Sequence, residues 1–266
     1  RVLAARRCLR IESLERRLLL DAALPDLISW VGPSAGLYDV YIEQSGGQDL
    51  LRFGNAIANI GSGPLALFWG PPSGDGTQPG YQRVSNTDGT YTDHLVGDFE
   101  YHPTHNHTHL EGFALYNVRA VNPDGTPGAV RSGGDKTSFC VEDTRAYDTG
   151  LPGAPGSAVY NCSVQGISVG WADVYDHYLD GQYIDVTSFS TGDYWLESIS
   201  NPDGVIIESN TDTNSASVLI HIDRADHTAS VVGRSGVPAD VYGEAGTGAS
   251  PGGQPPGAAA PTGART

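Results

Sequence analysis

The chain has 266 residues and a mass of 28.0 kDa, and its 39% of hydrophobic residues suffices for the core of one large domain or two small ones. A formal charge of −16 and a pI near 4.6 argue against binding to the phosphate backbone of nucleic acids and favour the attraction of cationic ligands. Solubility alone would explain the acidic balance equally well. The sequence contains no apolar run long enough to span a membrane.

Residues 1–23 form a basic N-terminal segment that differs from the rest of the chain. Residues 1–20 contain six Arg and two Glu. The stretch IESLERRLLLDA resembles the L-E-P-R-x-L-L segment near the N-terminus of large exported bacterial proteins, with Arg16 in place of Pro. An amphipathic basic helix or a fragment of a longer reading frame would explain it as well. We expect this segment to lie outside the folded domain and the protein to be secreted or at the cell surface.

Residues 24–226 are predicted to form one all-β domain. The chain is rich in Gly and Pro, and its Val-, Ile- and Tyr-rich runs are short. In residues 50–69 apolar and polar residues alternate, with a turn at 61–64, as they would in a hairpin. Apolar and polar residues also alternate in 112–121 and 215–224, as they would in strands. The turn NPDG is expected to join YWLESIS to VIIES. An antiparallel β-sandwich with long loops fits this pattern best.

Residues 227–266 are dominated by Gly, Pro and Ala towards their end. Such a composition buries too little apolar surface to offset the entropy of ordering. We predict a disordered linker that leads to further domains of a longer exported protein.

Four of the eight histidines lie within HPTHNHTHLEGF, residues 102–113. His105, His107 and His109 recur with period two, so in an extended segment their side chains leave one face and can converge on one ion. Three imidazoles without a thiolate suit zinc or copper. The alternatives are an exposed His-rich strand and an adventitious metal site.

Lys136 is the only lysine, since the other 14 of the 15 basic residues are arginines. A single lysine invites a chemical role, although a codon bias towards arginine would also explain the composition.

Together these segments resemble the lysyl oxidase family. The family's copper signature, W-x-W-H-x-C-H-x-H-x-H, is in register with FEYHPTHNHTH at 99–109. The stretches LLRF at 50–53, KTSFCVEDT at 136–144, YDHY at 175–178 and QYIDVT at 182–187 also match, in the family's order. The similarity covers about residues 24–224.

The resemblance implies a lysyl oxidase catalytic domain with copper on His105, His107 and His109. It also implies that Lys136 and Tyr178 become lysine tyrosylquinone. Such an enzyme oxidises a primary amine, either peptidyl lysine or a small amine, with O2 to an aldehyde, ammonia and hydrogen peroxide.

Several positions depart from the family pattern or have an open role. Thr104 replaces a Cys, Thr108 replaces a common aromatic residue, and the segment from Tyr178 to Gln182 is shorter than in the animal enzymes. The proton-abstracting base is not identified, and Asp176 and His177 are its candidates. For His102 we expect a structural or supporting role rather than ligation.

Cys140 and Cys162 are the only cysteine pair within the predicted domain, because Cys8 lies in the N-terminal segment. An exported protein is free to oxidise them, and we expect a disulfide that braces the segment of Lys136. The alternative is a pair of buried thiols.

A calcium site is implied by two further segments, LPDL at 24–27 and ESNTDTNS at 208–215. They resemble the segments that supply a structural calcium in animal relatives. Asp26, Glu208, Asn210 and Asn214 are the candidate ligands, and their oxygens suit this ion. A surface turn rich in Asp and Asn is the alternative.

Two other functions remain open from the sequence. The domain could bind copper without forming a quinone, as a non-catalytic module of a large exported protein. Alternatively, three histidines with an open position could activate water on zinc, as in a hydrolase.

Overall fold

A computed structural model describes residues 22–32, 36–37, 39–74, 77–102, 107–135 and 140–235 of the chain. These residues form eighteen β-strands and no helix, and the strands pair antiparallel, so the prediction of an all-β antiparallel fold is confirmed. Consequently, the described part of the chain has no helix long and apolar enough to cross a membrane. The residues of the predicted N-terminal segment up to 21, and residues 236–266 of the predicted linker, lie outside the described ranges.

The strands, numbered along the chain, form four sheets. The first contains, in pairing order, β13 (Gly166–Ile167), β6 (Leu65–Trp69), β7 (Thr77–Asn86), β8 (Tyr91–His102) and β9 (His107–Leu110), with β1 (Ala22–Ala23) paired to β7. The second contains β11 (Pro127–Asp135), β10 (Ala114–Val121), β16 (Gly192–Ser200), β17 (Ser215–Asp223) and β18 (Thr228–Ser235). The third contains β12 (Arg145–Ala146), β14 (Trp171–Tyr175), β5 (Asn55–Asn59) and β2 (Leu27–Ser29). The fourth contains β15 (Tyr183–Asp185), β4 (Gln48–Phe53) and β3 (Val40–Ser45).

The main hydrophobic core of the described residues joins the inner faces of the four sheets. In β17 the residues Val218, Ile220 and Ile222 are buried at every second position, as the alternation of the sequence predicts. Phe53 of the fourth sheet packs edge to face against Tyr116 of the second, with ring centroids 4.9 Å apart. The core therefore fixes the sheets relative to one another and carries the loops of the candidate site.

The first sheet curls so that its two edge strands approach each other. Gln165, which precedes β13, is fully buried, and its side-chain amide donates to the backbone carbonyl of Thr108 in β9 over 2.7 Å. The histidine-bearing edge strand is thereby tied to the opposite edge of its own sheet.

Three details of the predicted elements are corrected. Residues 50–69 do not form a hairpin, because β5 pairs with β2 and β14 while β6 pairs with β7 and β13. The turn at 201–204 is present, but residues 205–209 that follow it form no strand. The domain also extends beyond residue 226, because β18 pairs with β17 along its length.

Candidate active site

The histidine motif lies on the hairpin of β8 and β9. His107 and His109 are two residues apart in β9, so these positions share one face of the strand. His109 is opposite Glu100 and His107 is opposite His102 in the register. The neighbouring positions Phe99 and Leu110 are buried in the core, so the histidine positions belong to the other face of the sheet.

The His109 side chain is 2% exposed although its cross-strand partner Glu100 is exposed. Parts of the chain therefore cover His109 on this outer face. His105 lies outside the described residues, and for His102 and His107 only the backbone is described. Within the described part of the chain, no three His, Cys, Asp or Glu side chains lie close enough together to hold a metal.

Buried Gln165 also connects the histidine strand to the segment that follows Lys136. Its amide nitrogen donates to the carbonyl of Thr108, and its amide oxygen accepts a hydrogen bond from the backbone N–H of Val141 over 3.0 Å. Lys136 itself lies outside the described residues. One side chain thus joins the strand of His109 to a residue five positions after Lys136.

The expected disulfide between Cys140 and Cys162 is present, with an S–S distance of 2.04 Å. Asp143 braces the enclosed loop further, and this residue is only 7% exposed. Its carboxylate accepts hydrogen bonds from the backbone N–H of Val159 and from the N–H and hydroxyl of Ser168. The segment between Cys140 and β14 is therefore rigidly held although it contains little regular structure.

We predict that Cys162→Ser lowers the stability of the domain by about 3 kcal/mol, because the bond closes a loop with a sequence separation of 22. For a domain of this size the midpoint of thermal unfolding should fall by roughly 6–12 °C. Thermal unfolding of the metal-free protein is the measurement, with Cys8→Ser as the matched control. An equal midpoint for Cys162→Ser and Cys8→Ser would contradict the bracing role.

Tyr175, at the end of β14, is buried at the junction of these segments. Its hydroxyl donates to the backbone carbonyl of Cys140 at 2.8 Å and also contacts the carboxylate of fully buried Asp173. Burial first, and then the negative charge of Asp173, raise the pKa of Tyr175 well above its ordinary value. This tyrosine therefore lies beside the chain four residues after Lys136, with a protonated hydroxyl.

Tyr178, the predicted partner of Lys136, has different surroundings. Its side chain is 66% exposed, and its hydroxyl donates to the carboxylate of Asp176 over 2.9 Å, which raises its pKa. The ring of His177 meets it edge to face, and Nδ1 of His177 lies 2.7 Å from a carboxylate oxygen of Asp39. The two candidate bases, Asp176 and His177, thus lie together beside Tyr178 at the surface.

The strand that ends one residue before Lys136 runs beside the strand that follows Tyr178. In β11 the hydroxyl of Ser132 donates to the carbonyl of Asp185 in β15 over 3.1 Å. A Cβ added to Gly134 would lie 3.7 Å from the carbonyl oxygen of Tyr183. A cavity of about 270 Å³ opens between the two strands and includes Gly181 in its lining. The strand before Lys136 is therefore close to the strand after Tyr178, and Cys140, which follows Lys136, contacts Tyr175.

Sequence reasoning missed Tyr175, Asp173 and Gln165. The motif YDHY contains both tyrosines, but the alternation of ADVY puts Tyr175 on the same face as the polar Asp173 and so gives no signal of its burial. The bridging role of Gln165 had no sequence signal, because it depends on the closure of a sheet across 57 residues.

The calcium candidates form a second polar cluster, at the start of β2. Glu208 accepts hydrogen bonds from the side-chain amide of Asn214 at 2.8 Å and from the backbone N–H of Leu27 at 2.8 Å. Thr213 donates to the carboxylate of Asp26 at 3.1 Å and accepts from the amide of Asn210 at 3.2 Å. The structure therefore brings together all four residues that the sequence named.

This cluster contains two partly buried carboxylates and one unsatisfied buried oxygen. Burial raises the pKa of both Asp26 and Glu208 above the ordinary values, and Asp26 further raises that of Glu208 by its charge. The side-chain oxygen of Asn214 is buried and accepts no hydrogen bond. Two partly buried carboxylates beside an unsatisfied amide oxygen fit a hard cation such as calcium.

Comparison with known proteins agrees with the motifs. A family model described as lysyl oxidase matches residues 84–232, which is more than half of the chain. Lysyl oxidase homolog 3A of Danio rerio is 36% identical over 118 residues, covering 43% of this chain and 14% of that protein. Lysyl oxidase homolog 2 of Xenopus tropicalis is 32% identical over 154 residues, covering 53% of this chain and 19% of that protein. Lysyl oxidase homolog 3 of Homo sapiens is 36% identical over 118 residues, covering 43% and 14% respectively. The matched segment thus spans less than a fifth of the length of these relatives.

Proposed function

The chain belongs to the lysyl oxidase family, and we propose that it is a copper- and quinone-dependent amine oxidase. Its substrates would be primary amines, either peptidyl lysine or small amines, which it would convert with O2 to aldehydes, ammonia and hydrogen peroxide. The main observation in support of the proposal is the pair of hydrogen bonds made by the buried side chain of Gln165. It donates one bond to the histidine strand and accepts the other from the segment after Lys136.

The histidine positions fit the proposed copper site. His107 and His109 occupy one face of β9, and His109 is buried, so its imidazole is shielded from water. We propose His105, His107 and His109 as ligands, since neutral imidazoles suit copper(II). Copper bound there, together with O2, would supply the chemistry that oxidises a nearby tyrosine ring.

Lys136 is proposed to provide the amine of a lysine tyrosylquinone. Tyr178 stays the partner predicted from the sequence. Tyr175 lies near the chain after Lys136, since its hydroxyl contacts the carbonyl of Cys140, but its ring is buried, whereas the exposed ring of Tyr178 is accessible to a substrate amine.

The residues around Tyr178 suit the approach of a cationic amine. Asp176, Asp39 and Glu43 lie at this surface, and Glu43 pairs with Arg52 over 2.5 Å. The overall charge of −16 adds long-range attraction. Asp176 and His177 remain the proposed candidates for the base that removes the substrate proton.

The proposal is tested by expressing the protein without copper, adding copper(II) in air, and assaying hydrogen peroxide release from primary amines. We expect a visible absorbance that phenylhydrazine changes, and activity that follows its appearance. Copper binding without absorbance or activity would instead favour a non-catalytic copper module. Ester or amide hydrolysis that depends on zinc would favour the hydrolase.

We also propose that Asp26, Glu208, Asn210 and Asn214 hold a structural calcium ion, because two partly buried carboxylates lie together beside the buried side-chain oxygen of Asn214, which accepts no hydrogen bond. A secreted or cell-surface location, where calcium is abundant and the disulfide persists, agrees with this site.

We predict that calcium raises the midpoint of thermal unfolding at neutral pH. At a calcium concentration of 100 times Kd, the free energy of unfolding should rise by about 2.7 kcal/mol. Because the folded-state pKa values of Asp26 and Glu208 are raised, ionisation of these groups destabilises the calcium-free protein as the pH rises through them. Calcium offsets this loss, and its effect should vanish as the pH falls through the raised pKa values, where protons compete with the ion.

Glu208→Gln should abolish the calcium effect, whereas Asp212→Asn at an exposed neighbouring acid should preserve it. Differential scanning calorimetry at several pH values measures both. An equal calcium response in these two variants would refute the site.

A further inference from the structure

Gln165 is a fully buried residue that connects three distant parts of the chain. Its backbone carbonyl accepts a hydrogen bond from the N–H of Leu67 in β6 over 2.9 Å, which anchors the residue to the core side of the first sheet. Its side-chain amide donates to the carbonyl of Thr108 and accepts from the N–H of Val141. Both ends of this amide are therefore used, and both contact backbone groups.

Val141, which is fully buried, is held at two points. Its N–H donates to the side chain of Gln165, and its carbonyl accepts a hydrogen bond from the N–H of Gly166 over 2.8 Å. A Cβ added to Gly166 would lie 2.1 Å from the carbonyl oxygen of Leu65, so only glycine allows this close approach to β6. Gln165 and Gly166 together therefore fix Val141 relative to the first sheet.

The other end of the bridge lies within the histidine motif. Thr108 stands between His107 and His109, whose positions share one face of β9. In the described part of the chain β9 is an edge strand that pairs with β8, so Gln165 supplies a hydrogen bond on its unpaired side. A single buried side chain of fixed length therefore couples the position of the histidine strand to that of Val141.

We propose that Gln165 is a positioning residue for formation of the cofactor, because it holds the histidine strand and the segment after Lys136 at a fixed separation. This inference rests on the proposed function, in which the amine of Lys136 attacks a tyrosine ring oxidised beside copper. Gln165 takes no part in that chemistry. It restricts the chain five residues after Lys136, and a misplacement of about 1 Å in such an arrangement costs about 100-fold in rate.

Gln82 offers a matched control in the same sheet. It is also fully buried, and its side-chain amide donates to the carbonyl of Ile207 and accepts from the N–H of Ile207, each over 2.8 Å. Replacing either glutamine with methionine removes two hydrogen bonds to backbone groups and keeps a flexible side chain of similar size. Of the two, only Gln165 joins the histidine strand to the segment after Lys136.

The first experiment follows crosslink formation after saturating copper(II) is added to the metal-free protein in air. Both variants should bind copper with the stoichiometry of the unmodified protein, and both should lose thermal stability to a similar extent. Gln165→Met should form the crosslink about 100-fold more slowly than the unmodified protein, whereas Gln82→Met should form it at the unmodified rate. Mass spectrometry of digests taken over time measures the joined peptides.

The outcomes separate this inference from the proposed function. Crosslinking of Gln165→Met at the unmodified rate, or equal slowing in the two variants, would overturn the inference and leave the proposed function intact. Failure of Gln165→Met to bind copper would also overturn it, since Gln165 would then support the metal ligands instead. Unmodified protein that binds copper and never crosslinks would overturn the proposed function, and the inference with it.

A second experiment uses only the unmodified protein and stays decisive if Gln165→Met does not fold. Hydrogen exchange measured by mass spectrometry compares metal-free protein with protein given copper(II) in the absence of O2, where no crosslink forms. The N–H of Val141 should exchange several-fold more slowly with copper, because ordering of β9 reaches it through Gln165, whereas the N–H of Ile207 should not change. Equal exchange of the Val141 N–H with and without copper would refute the coupling.

Discussion

Replacing His107 with alanine should remove copper and amine oxidase activity together. Loss of a residue that merely supports a metal ligand commonly weakens binding 10- to 100-fold, so loss of a ligand should weaken copper binding by more than about 100-fold. The electron paramagnetic resonance of copper(II) and elemental analysis measure the loss. Since the crosslink requires copper, the variant should also lack the visible absorbance.

His94→Ala is the matched control for this prediction. His94 lies in β8 of the same sheet but outside the histidine motif, so copper content and activity should stay unchanged. Unchanged copper stoichiometry in His107→Ala would contradict the assignment of the ligands. A similar copper loss in both variants would point to a general effect on the sheet.

Replacing Lys136 with arginine should abolish activity while copper remains bound. Arginine keeps the positive charge, but its guanidinium does not lose a proton at accessible pH and so cannot attack an oxidised tyrosine ring. The substitution therefore tests nucleophilicity rather than charge. We expect about one copper per chain, no crosslinked peptide, and no hydrogen peroxide release above that of the copper-free protein.

Full activity in Lys136→Arg would exclude the lysine from the cofactor. Arg131→Lys, in β11 five residues earlier, is the matched control, because it makes the reverse exchange on the strand that leads to Lys136. It should retain copper, crosslink and activity.

The sequence predicts strands better than it predicts their partners. The alternation in residues 215–224 correctly identifies β17, since one face of that strand lies on the core. The same signal in residues 50–69 suggests a hairpin, yet β5 and β6 belong to different sheets. Alternation records which side chains are buried, whereas pairing is decided by neighbours that are distant in sequence.

The candidate site, like the fold, is only partly predictable from the sequence. The histidine spacing, the single lysine and the cysteine pair are visible as residue types, and the bond between Cys140 and Cys162 is present. The difference in burial between Tyr175 and Tyr178 is not visible, because both are tyrosines in one short motif. Burial arises from the packing of the second sheet on the third, which no local pattern encodes.

The central claim is that Lys136 becomes covalently joined to a tyrosine of the segment 175–178, and mass spectrometry of a digest tests it most directly. A protease that cleaves before aspartate releases residues 135–142 with Lys136 and separates residues 173–175, which contain Tyr175, from residues 176–179, which contain Tyr178. After reduction of the disulfide, copper-loaded active protein should yield residues 135–142 joined to one of these two peptides, and the one predicted from the sequence is that with Tyr178. Metal-free protein should yield all three separately. Full amine oxidase activity in protein whose three peptides are recovered unjoined would contradict the claim.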